Sequence, residues 1–291
     1  MEDYLMNEVN PYLEPMELQR FEALETSLNN IFQEEINSED SIFISLNSNV
    51  VHKIALFLTQ NIKRSATIGI AGETASGKST ITQDVIDTIL GFRKKYNLDN
   101  LITRVNTDDY YYDRSELVSY YGSFSAFAQN YDLDIPDALE LELMNQHISL
   151  LMKNQPVYLP KYDMSGTAKR IDNIIYTLPS KIIISEGLFT LTDKIRNVFD
   201  FKIYVHVSKE VQKERFFKRA QERNLGHSAH SVYANASNKA QIYIHPTCKF
   251  ADIVLSGETS REKYKSFISK ILNLAENFIN NNKTKELLAL K

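Results

Sequence analysis

The sequence predicts an α/β fold in which a parallel sheet is flanked by helices, with a helical extension at the N-terminus. From residue 66 onward, short β-branched apolar runs alternate with segments of helical periodicity, as in βαβ units. Before residue 65, apolar residues recur at helical spacing in two stripes. The predicted organisation is therefore a helical extension over residues 1–64 and an α/β domain over residues 65–291.

The two N-terminal stripes predict two helices that pack against each other. Their simplest interpretation is a cap on the α/β domain or an interface of a homo-oligomer, because no residue in them indicates a separate ligand site. The first stripe consists of Phe21, Leu24, Leu28, Ile31 and Phe32, and the second of Val50, Ile54, Leu56, Phe57 and Leu58.

The composition limits the classes of partner. The 291 residues carry 33 Lys and Arg against 37 Asp and Glu, and a net charge of -4 gives no global attraction for nucleic acid or for an anionic membrane. Cys248 is the single cysteine, so neither an internal disulfide nor a cysteine zinc site is expected. The acidic first 25 residues lack an export signal, and no run approaches 18 apolar residues. We expect a cytoplasmic protein that acts on a small molecule.

A phosphate-binding loop is the strongest motif in the chain. An apolar strand over residues 66–71 leads into Gly-Glu-Thr-Ala-Ser-Gly-Lys-Ser at residues 72–79, and an amphipathic helix follows to Leu90. Strand, loop and helix in this order predict a P-loop NTPase fold, and with 9 glycines in the chain a chance match is disfavoured. The predicted nucleotide-binding residues here are Gly72, Glu73, Thr74, Ala75, Ser76, Gly77, Lys78, Ser79 and Thr80.

The loop also indicates its chemistry. Backbone N–H groups and a helix N-terminus offer partial positive charge to phosphate oxygens, and Lys78 adds a full charge. The hydroxyl of Ser79 is suited to Mg²⁺. We therefore expect binding of ATP with Mg²⁺.

Two further segments place carboxylates just after predicted strands. Asp108 and Asp109 follow the apolar run 101–105, and Asp108 is suited to accept the proton of an attacking hydroxyl; a solvated Asx turn is the alternative. Glu186 ends the apolar run 181–185, where a carboxylate would reach Mg²⁺ directly or through water.

The order of these and later segments resembles the phosphoribulokinase/uridine kinase family, and within it the uridine (uridine–cytidine) kinases. The matching segments are GETASGKST from residue 72, TDDYYY from 107, LDIPDALELEL from 133, VYLPKYDMSGTAKR from 157, IIISEGLF from 182, KIYVHVSKEVQKERFFKRAQER from 202 and HPTCKFADIVLSG from 245. Together they span about residues 65 to 257. The N-terminal 64 residues have no counterpart in the short uridine kinases, whereas pantothenate kinases of the same broader group carry N-terminal helices.

The resemblance implies roles for individual residues. Lys78, Asp108 and Glu186 would be catalytic, with Asp108 as base on a nucleoside 5′-hydroxyl and with Ser79 and Glu186 at Mg²⁺. Four residues would contact the acceptor: Tyr111 as the nearby aromatic, Asp134 and Arg215 at the ribose, and Tyr162 at the base.

A lid around residues 209–230 would bring Lys218, Arg219 and Arg223 to the triphosphate, although such residues taken alone are more often a solvated helix face. Two departures from the family pattern concern specificity. Thr167 stands at about the place of a base-reading histidine, and Lys218 replaces a lid arginine, whose planar two-pronged contact a lysine cannot make.

The sequence therefore favours ATP-dependent phosphorylation of the 5′-hydroxyl of a uridine-like or cytidine-like ribonucleoside. A kinase of another small alcohol, such as pantothenate or a sugar phosphate, is the alternative within the fold. A GTPase switch would use Asp163 to Gly166 as D-x-x-G, but Asn282 to Lys285 lacks the aspartate of N-K-x-D. A nucleotide-binding regulator without catalysis is disfavoured because Lys78, Asp108 and Glu186 are all present.

Overall fold

The computed structural model describes residues 15–59, 64–96, 101–222 and 226–289. The helices are α1 (Pro15–Ile36), α2 (Val50–Thr59), α3 (Lys78–Tyr96), α4 (Ser115–Tyr121), α5 (Phe124–Asn130), α6 (Leu141–Met152), α7 (Lys209–Glu222), α8 (Ala229–Lys239) and α9 (Arg261–Ala289). The strands are β1 (Phe43–Leu46), β2 (Ala66–Gly72), β3 (Ile102–Asn106), β4 (Val157–Tyr162), β5 (Arg170–Thr177), β6 (Ile182–Gly187), β7 (Phe201–His206) and β8 (Ile253–Ser256).

Six strands form the central sheet in the order β1-β8-β7-β2-β6-β3. All neighbouring pairs are parallel except β1 with β8, which is antiparallel. This arrangement confirms the predicted α/β class with a mostly parallel sheet. Because parallel strands share one carboxyl edge, the segments that follow β2, β3 and β6 meet there, where such sheets bind ligands.

Apolar cores lie on both faces of the sheet. Successive strand residues point to opposite faces, so neighbouring residues enter different cores. Ile184 and Val205 belong to the core that includes α3, whereas Ile183 and Tyr204 belong to the core that includes α6. The continuous apolar character of these strands follows from burial on both sides.

The N-terminal extension contains the two predicted helices. Phe21, Leu24 and Leu28 of α1 are buried in one cluster with Val50 and Leu56 of α2. Ile253 of β8 and four apolar residues of α9 pack against the same cluster: Phe267, Ile271, Leu274 and Phe278.

The N-terminal extension also contains the strand β1, which the sequence pattern did not predict. This strand pairs with the edge strand β8, and its register shifts between Phe43 and Ser45. A four-residue run is too short for its periodicity to be detected, and the pairing with β8 is a tertiary contact. The division into residues 1–64 and 65–291 stays a prediction.

A separate antiparallel hairpin of β4 and β5 was not anticipated by the sequence pattern. It projects Tyr158, Ile174 and Tyr176, each more than half exposed. Within the described ranges, no helix combines the length and the apolar character that crossing a membrane requires.

Candidate active site

The P-loop connects β2 to α3. Ala75 and Gly77 adopt positive φ angles of 61° and 96°, which turn the backbone before the helix begins at Lys78. The loop after β8 lies directly against this turn, since a Cβ on Gly257 would come within 1.9 Å of the carbonyl oxygen of Ser76. Only glycine fits at position 257, and it allows the loop after β8 to pack directly against the P-loop.

Lys78 lies between the P-loop backbone and two carboxylates. Its Nζ donates a hydrogen bond of 3.3 Å to the carbonyl oxygen of Glu73. Burial lowers the pKa of Lys78, and the negative charges of Glu186 and Asp108 act in the opposite direction. The three predicted catalytic residues therefore lie close enough together for their charges to interact.

Glu186 lies at the end of β6, with its carboxylate buried between α3 and β3. Ser79 donates to its Oε2 over 3.0 Å, and Nη2 of Arg104 contacts its Oε1 at 2.5 Å. The hydroxyl of Thr107 donates to the Glu186 carbonyl, and Gly187 leaves the space that this contact needs. Ser79 and Glu186 thus offer two oxygen ligands to one small volume, as Mg²⁺ beside a triphosphate requires.

The two aspartates after β3 have different surroundings. Asp108 is half-buried, and burial raises the pKa of its carboxyl; Lys78 opposes this rise and Glu186 adds to it. Asp109 is buried beside β4, where it accepts a hydrogen bond of 3.2 Å from the backbone N–H of Tyr162 and pairs with Lys161 at 3.0 Å. Asp109 attaches the hairpin to the sheet, whereas Asp108 faces the phosphate-binding residues.

Tyr111 and Tyr162 form an aromatic pair next to Asp108, and we name the region around this pair and Asp134 the aromatic compartment. Their ring centroids lie 5.3 Å apart, and both side chains are nearly inaccessible. Burial raises the pKa of Tyr111 most, and the charges of Asp108 and Asp134 raise it further. The buried hydroxyl of Tyr162 has no hydrogen-bond partner among the described residues. Such an unpaired hydroxyl is costly unless a ligand pairs with it.

Asp134 lies near Tyr111 and α8. Burial raises the pKa of its carboxyl, and so does the charge of Asp132, while a 3.5 Å hydrogen bond from Asn235 of α8 lowers it. Lys239 of α8 pairs with Asp132 at 2.5 Å. Helix α8 is therefore attached to the loop that carries Asp134.

Thr167, at the place of the expected histidine, lies in the exposed turn between β4 and β5. Its Oγ1 donates a 2.5 Å hydrogen bond to Oδ2 of Asp163 and accepts one from the backbone N–H of Lys169 at 3.3 Å. The hydroxyl proton and one of the two acceptor lone pairs are thus used within the turn.

The basic residues of α7 lie on the P-loop side. Arg215 Nη1 donates to the carbonyl of Gly257 over 2.8 Å, and the positive charge of Arg219 reaches Lys78. Arg223 lies outside the described residues. A cavity of about 390 Å³ is lined by residues of the P-loop, α3, α7 and the loop before α9, including Ala75, Gly77, Thr80, Arg215, Lys218, Arg219 and Thr259.

Arg215 is thus grouped with the phosphate-binding loop, while Asp134 is held by α8. The two residues of the predicted ribose pair thus have different partners, and a ribose contact by Arg215 stays a prediction. Two residues with clear positions were not singled out from the sequence: Arg104, whose charge pairs with Glu186, and Asn235, which contacts Asp134. A lone arginine in a strand or an asparagine in a helix gives no sequence signal of such a contact.

The fold and the site together define an ATP-dependent small-molecule kinase built on a P-loop. The chain belongs to the phosphoribulokinase / uridine kinase family, whose model matches residues 67–263.

Among curated relatives, the uridine kinase of Clostridium perfringens is 32% identical over 200 residues, which is 67% of this chain and 88% of that protein. The uridine kinase of Klebsiella pneumoniae is 33% identical over 194 residues, covering 65% and 85%. A solved phosphoribulokinase from Rhodobacter spheroides is 14% identical, covers 67% of this chain and 70% of its own, and has a TM-score of 0.47.

Proposed function

We propose that this kinase transfers the γ-phosphoryl group of ATP to the 5′-hydroxyl of a ribonucleoside of the uridine or cytidine type. The position of Asp108 carries the proposal. Its charge interacts with Lys78 and Glu186 on one side and with Tyr111 on the other, so it lies where the phosphate site meets the aromatic compartment. A base for an acceptor hydroxyl has to lie at such a junction.

The chemistry follows from these positions. Asp108 accepts the proton of the 5′-hydroxyl as its oxygen attacks the γ-phosphorus, and the bond from that phosphorus to the leaving oxygen of ADP breaks. Charge spreads over the phosphoryl oxygens in this transition state, so cations around them matter more than covalent help. Lys78 and Arg219 supply positive charge from the P-loop and from α7.

Ser79 and Glu186 are the residues that would hold Mg²⁺. Their oxygen atoms are the donor type that this ion prefers, and a triphosphate and water would complete its coordination. When bound, Mg²⁺ neutralises part of the charge on the phosphate oxygens. Arg104 orients the Glu186 carboxylate through their ion pair.

The cavity between the P-loop and α7 is the proposed place of the rest of the nucleotide. Arg215 and Lys218 line it, and its 390 Å³ is of a size typical of small-molecule sites. We assign Arg215 to this nucleotide side because of its contact with Gly257, in preference to the ribose of the acceptor.

The aromatic compartment is the proposed acceptor site. Its half-buried Asp134 suits a pair of vicinal hydroxyls, and the unpaired hydroxyl of Tyr162 would find a partner in a bound base. Thr167 is already engaged by Asp163, so the base is read with fewer hydrogen bonds than a histidine would allow. The names of the uridine kinase relatives support the same acceptor class. We place the reaction in the cytoplasm, where ATP is supplied and a single cysteine stays reduced.

Steady-state kinetics with Mg²⁺ and ATP over a panel of acceptors tests this proposal. Uridine and cytidine should be phosphorylated, with a base preference over adenosine of no more than roughly tenfold, since one lost hydrogen bond is worth about 0.5 to 1.5 kcal/mol. Turnover of pantothenate or ribulose 5-phosphate, with none of any nucleoside, would overturn the proposal and favour another acceptor.

A further inference from the structure

The second residue of the P-loop motif is an acid. Glu73 lies in a segment that has to bind the several negative charges of a triphosphate, and its side chain is only 12% exposed. A buried carboxylate in such a place repels the ligand and lacks water, so it needs partners that offset its charge.

The structure provides those partners on α7 and in the turn before β8. Oε2 of Glu73 accepts a 2.8 Å hydrogen bond from the side-chain amide of Gln212, and Oε1 is hydrogen-bonded to Nε2 of His245. An ionised carboxylate only accepts hydrogen bonds, so Nε2 of His245 carries the proton and donates it. The main-chain carbonyl of the same Glu73 accepts from Lys78 at 3.3 Å.

These contacts join the P-loop to three other parts of the molecule. Gln212 lies on α7, is 2% exposed, and also donates to the carbonyl of Thr74 at 3.2 Å. Its Oε1 accepts from the hydroxyl of Tyr233 on α8 at 3.2 Å. His245 begins the turn His245–Phe250 that precedes β8. Of the two side chains that hold Glu73, only that of His245 can carry a positive charge.

We propose that His245 is a positioning residue for ATP binding: by pairing with Glu73 it offsets the acidic charge of the P-loop and holds that carboxylate away from the phosphates. The charge of Glu73 reaches Lys78, so an unpaired Glu73 would compete with the triphosphate for that cation. The inference concerns the ATP side and is independent of which acceptor the kinase uses.

Calorimetric titration of the full chain with Mg²⁺ and a non-hydrolysable ATP analogue, in the absence of acceptor, tests the proposal. His245→Gln should weaken binding by at least about tenfold, because it removes the imidazole that pairs with a buried carboxylate. Glu73→Gln should bind the analogue at least as tightly as the wild type. The double variant, Glu73→Gln with His245→Gln, should return to within about threefold of the wild type.

His52→Gln is the matched control, since His52 pairs with Glu25 at 2.7 Å between α1 and α2. This change should leave binding of the analogue unaltered. In assays with an accepted substrate, His245→Gln should raise the KM for ATP while leaving the KM for the acceptor unchanged.

Three results would overturn the proposal. The first is wild-type affinity for the analogue in His245→Gln. The second is a double variant as weak as His245→Gln, which would mean a packing role without a charge role. The third is a loss of about tenfold in Glu73→Gln alone, a result that stays informative if His245→Gln fails to fold.

Discussion

Ser79 at the start of α3 donates a hydrogen bond of 3.0 Å to Oε2 of Glu186 at the end of β6, 107 residues further along the chain. The contact exists because β2, which leads into the P-loop, lies next to β6 in parallel register, with Ile70 opposite Glu186. The P-loop and the strand-ending glutamate are therefore parts of one site.

Removing the P-loop cation should affect chemistry more than folding. Lys78→Ala should lower kcat by about 10²- to 10³-fold, because it removes a positive charge from the place where negative charge develops. Steady-state assays of kcat check this, and the Tm of the variant serves as a control for folding. Wild-type turnover in the variant would remove Lys78 from the mechanism.

The two neighbouring aspartates should separate function from structure. Asp108→Asn should lower kcat by about 10²- to 10⁴-fold with little change in ATP affinity, because the base is lost and the fold is kept. Asp109→Asn should keep most of the turnover and lower Tm by a few degrees, since it weakens the attachment of the hairpin through Lys161 and Tyr162. A larger loss of kcat in Asp109→Asn than in Asp108→Asn would contradict the assignment.

The pH dependence should follow the shifted pKa values of Asp108 and Lys78. Asp108 works as a base only when ionised, and burial raises its pKa above the ordinary 3.8, so kcat/KM should fall as pH decreases through that raised value. Lys78 works only when protonated, and burial lowers its pKa from the ordinary 10.5. Activity should therefore also fall as the pH rises, and this fall should begin below pH 10.5. A pH profile of the wild type and of Asp108→Asn checks this. If the residual activity of Asp108→Asn fell at the same low pH and with the same slope as that of the wild type, a group other than Asp108 would be responsible for the fall.

Asp134 should control the choice of sugar. A carboxylate that accepts hydrogen bonds from vicinal hydroxyls loses one of them with a 2′-deoxy acceptor, so uridine should be preferred over 2′-deoxyuridine by about 10- to 100-fold. In Asp134→Ala the ratio of the two kcat/KM values should fall to within about threefold. An unchanged ratio would place the ribose elsewhere.

Much of this site was predictable from the sequence because its motifs are local. The P-loop is a contiguous run with fixed spacing, and the acids at residues 108 and 186 each follow a short apolar run that predicts a strand. The sheet edge then brings the segments together without further information. The helical stripes of α1 and α2 were predicted for the same reason, since their periodicity extends over several turns.

Features that depend on tertiary contacts were beyond the sequence. β1 is defined by its pairing with β8, and the β4–β5 hairpin by a pairing whose register shifts between Leu159 and Lys161. The sequence around Arg215 does not indicate whether this side chain faces the nucleotide or the acceptor. Its contact with Gly257 is what favours the nucleotide side. The pairing of Glu73 with His245 joins residues 172 positions apart, and no local pattern reports it.

The most direct test of the account identifies the product of one reaction. ATP, Mg²⁺, uridine and the wild-type kinase should give equal amounts of ADP and uridine 5′-monophosphate by ³¹P NMR, and Asp108→Asn should give almost none under the same conditions. ADP formed with inorganic phosphate in place of a nucleotide product would contradict the account, and so would phosphate attached at the 2′- or 3′-hydroxyl.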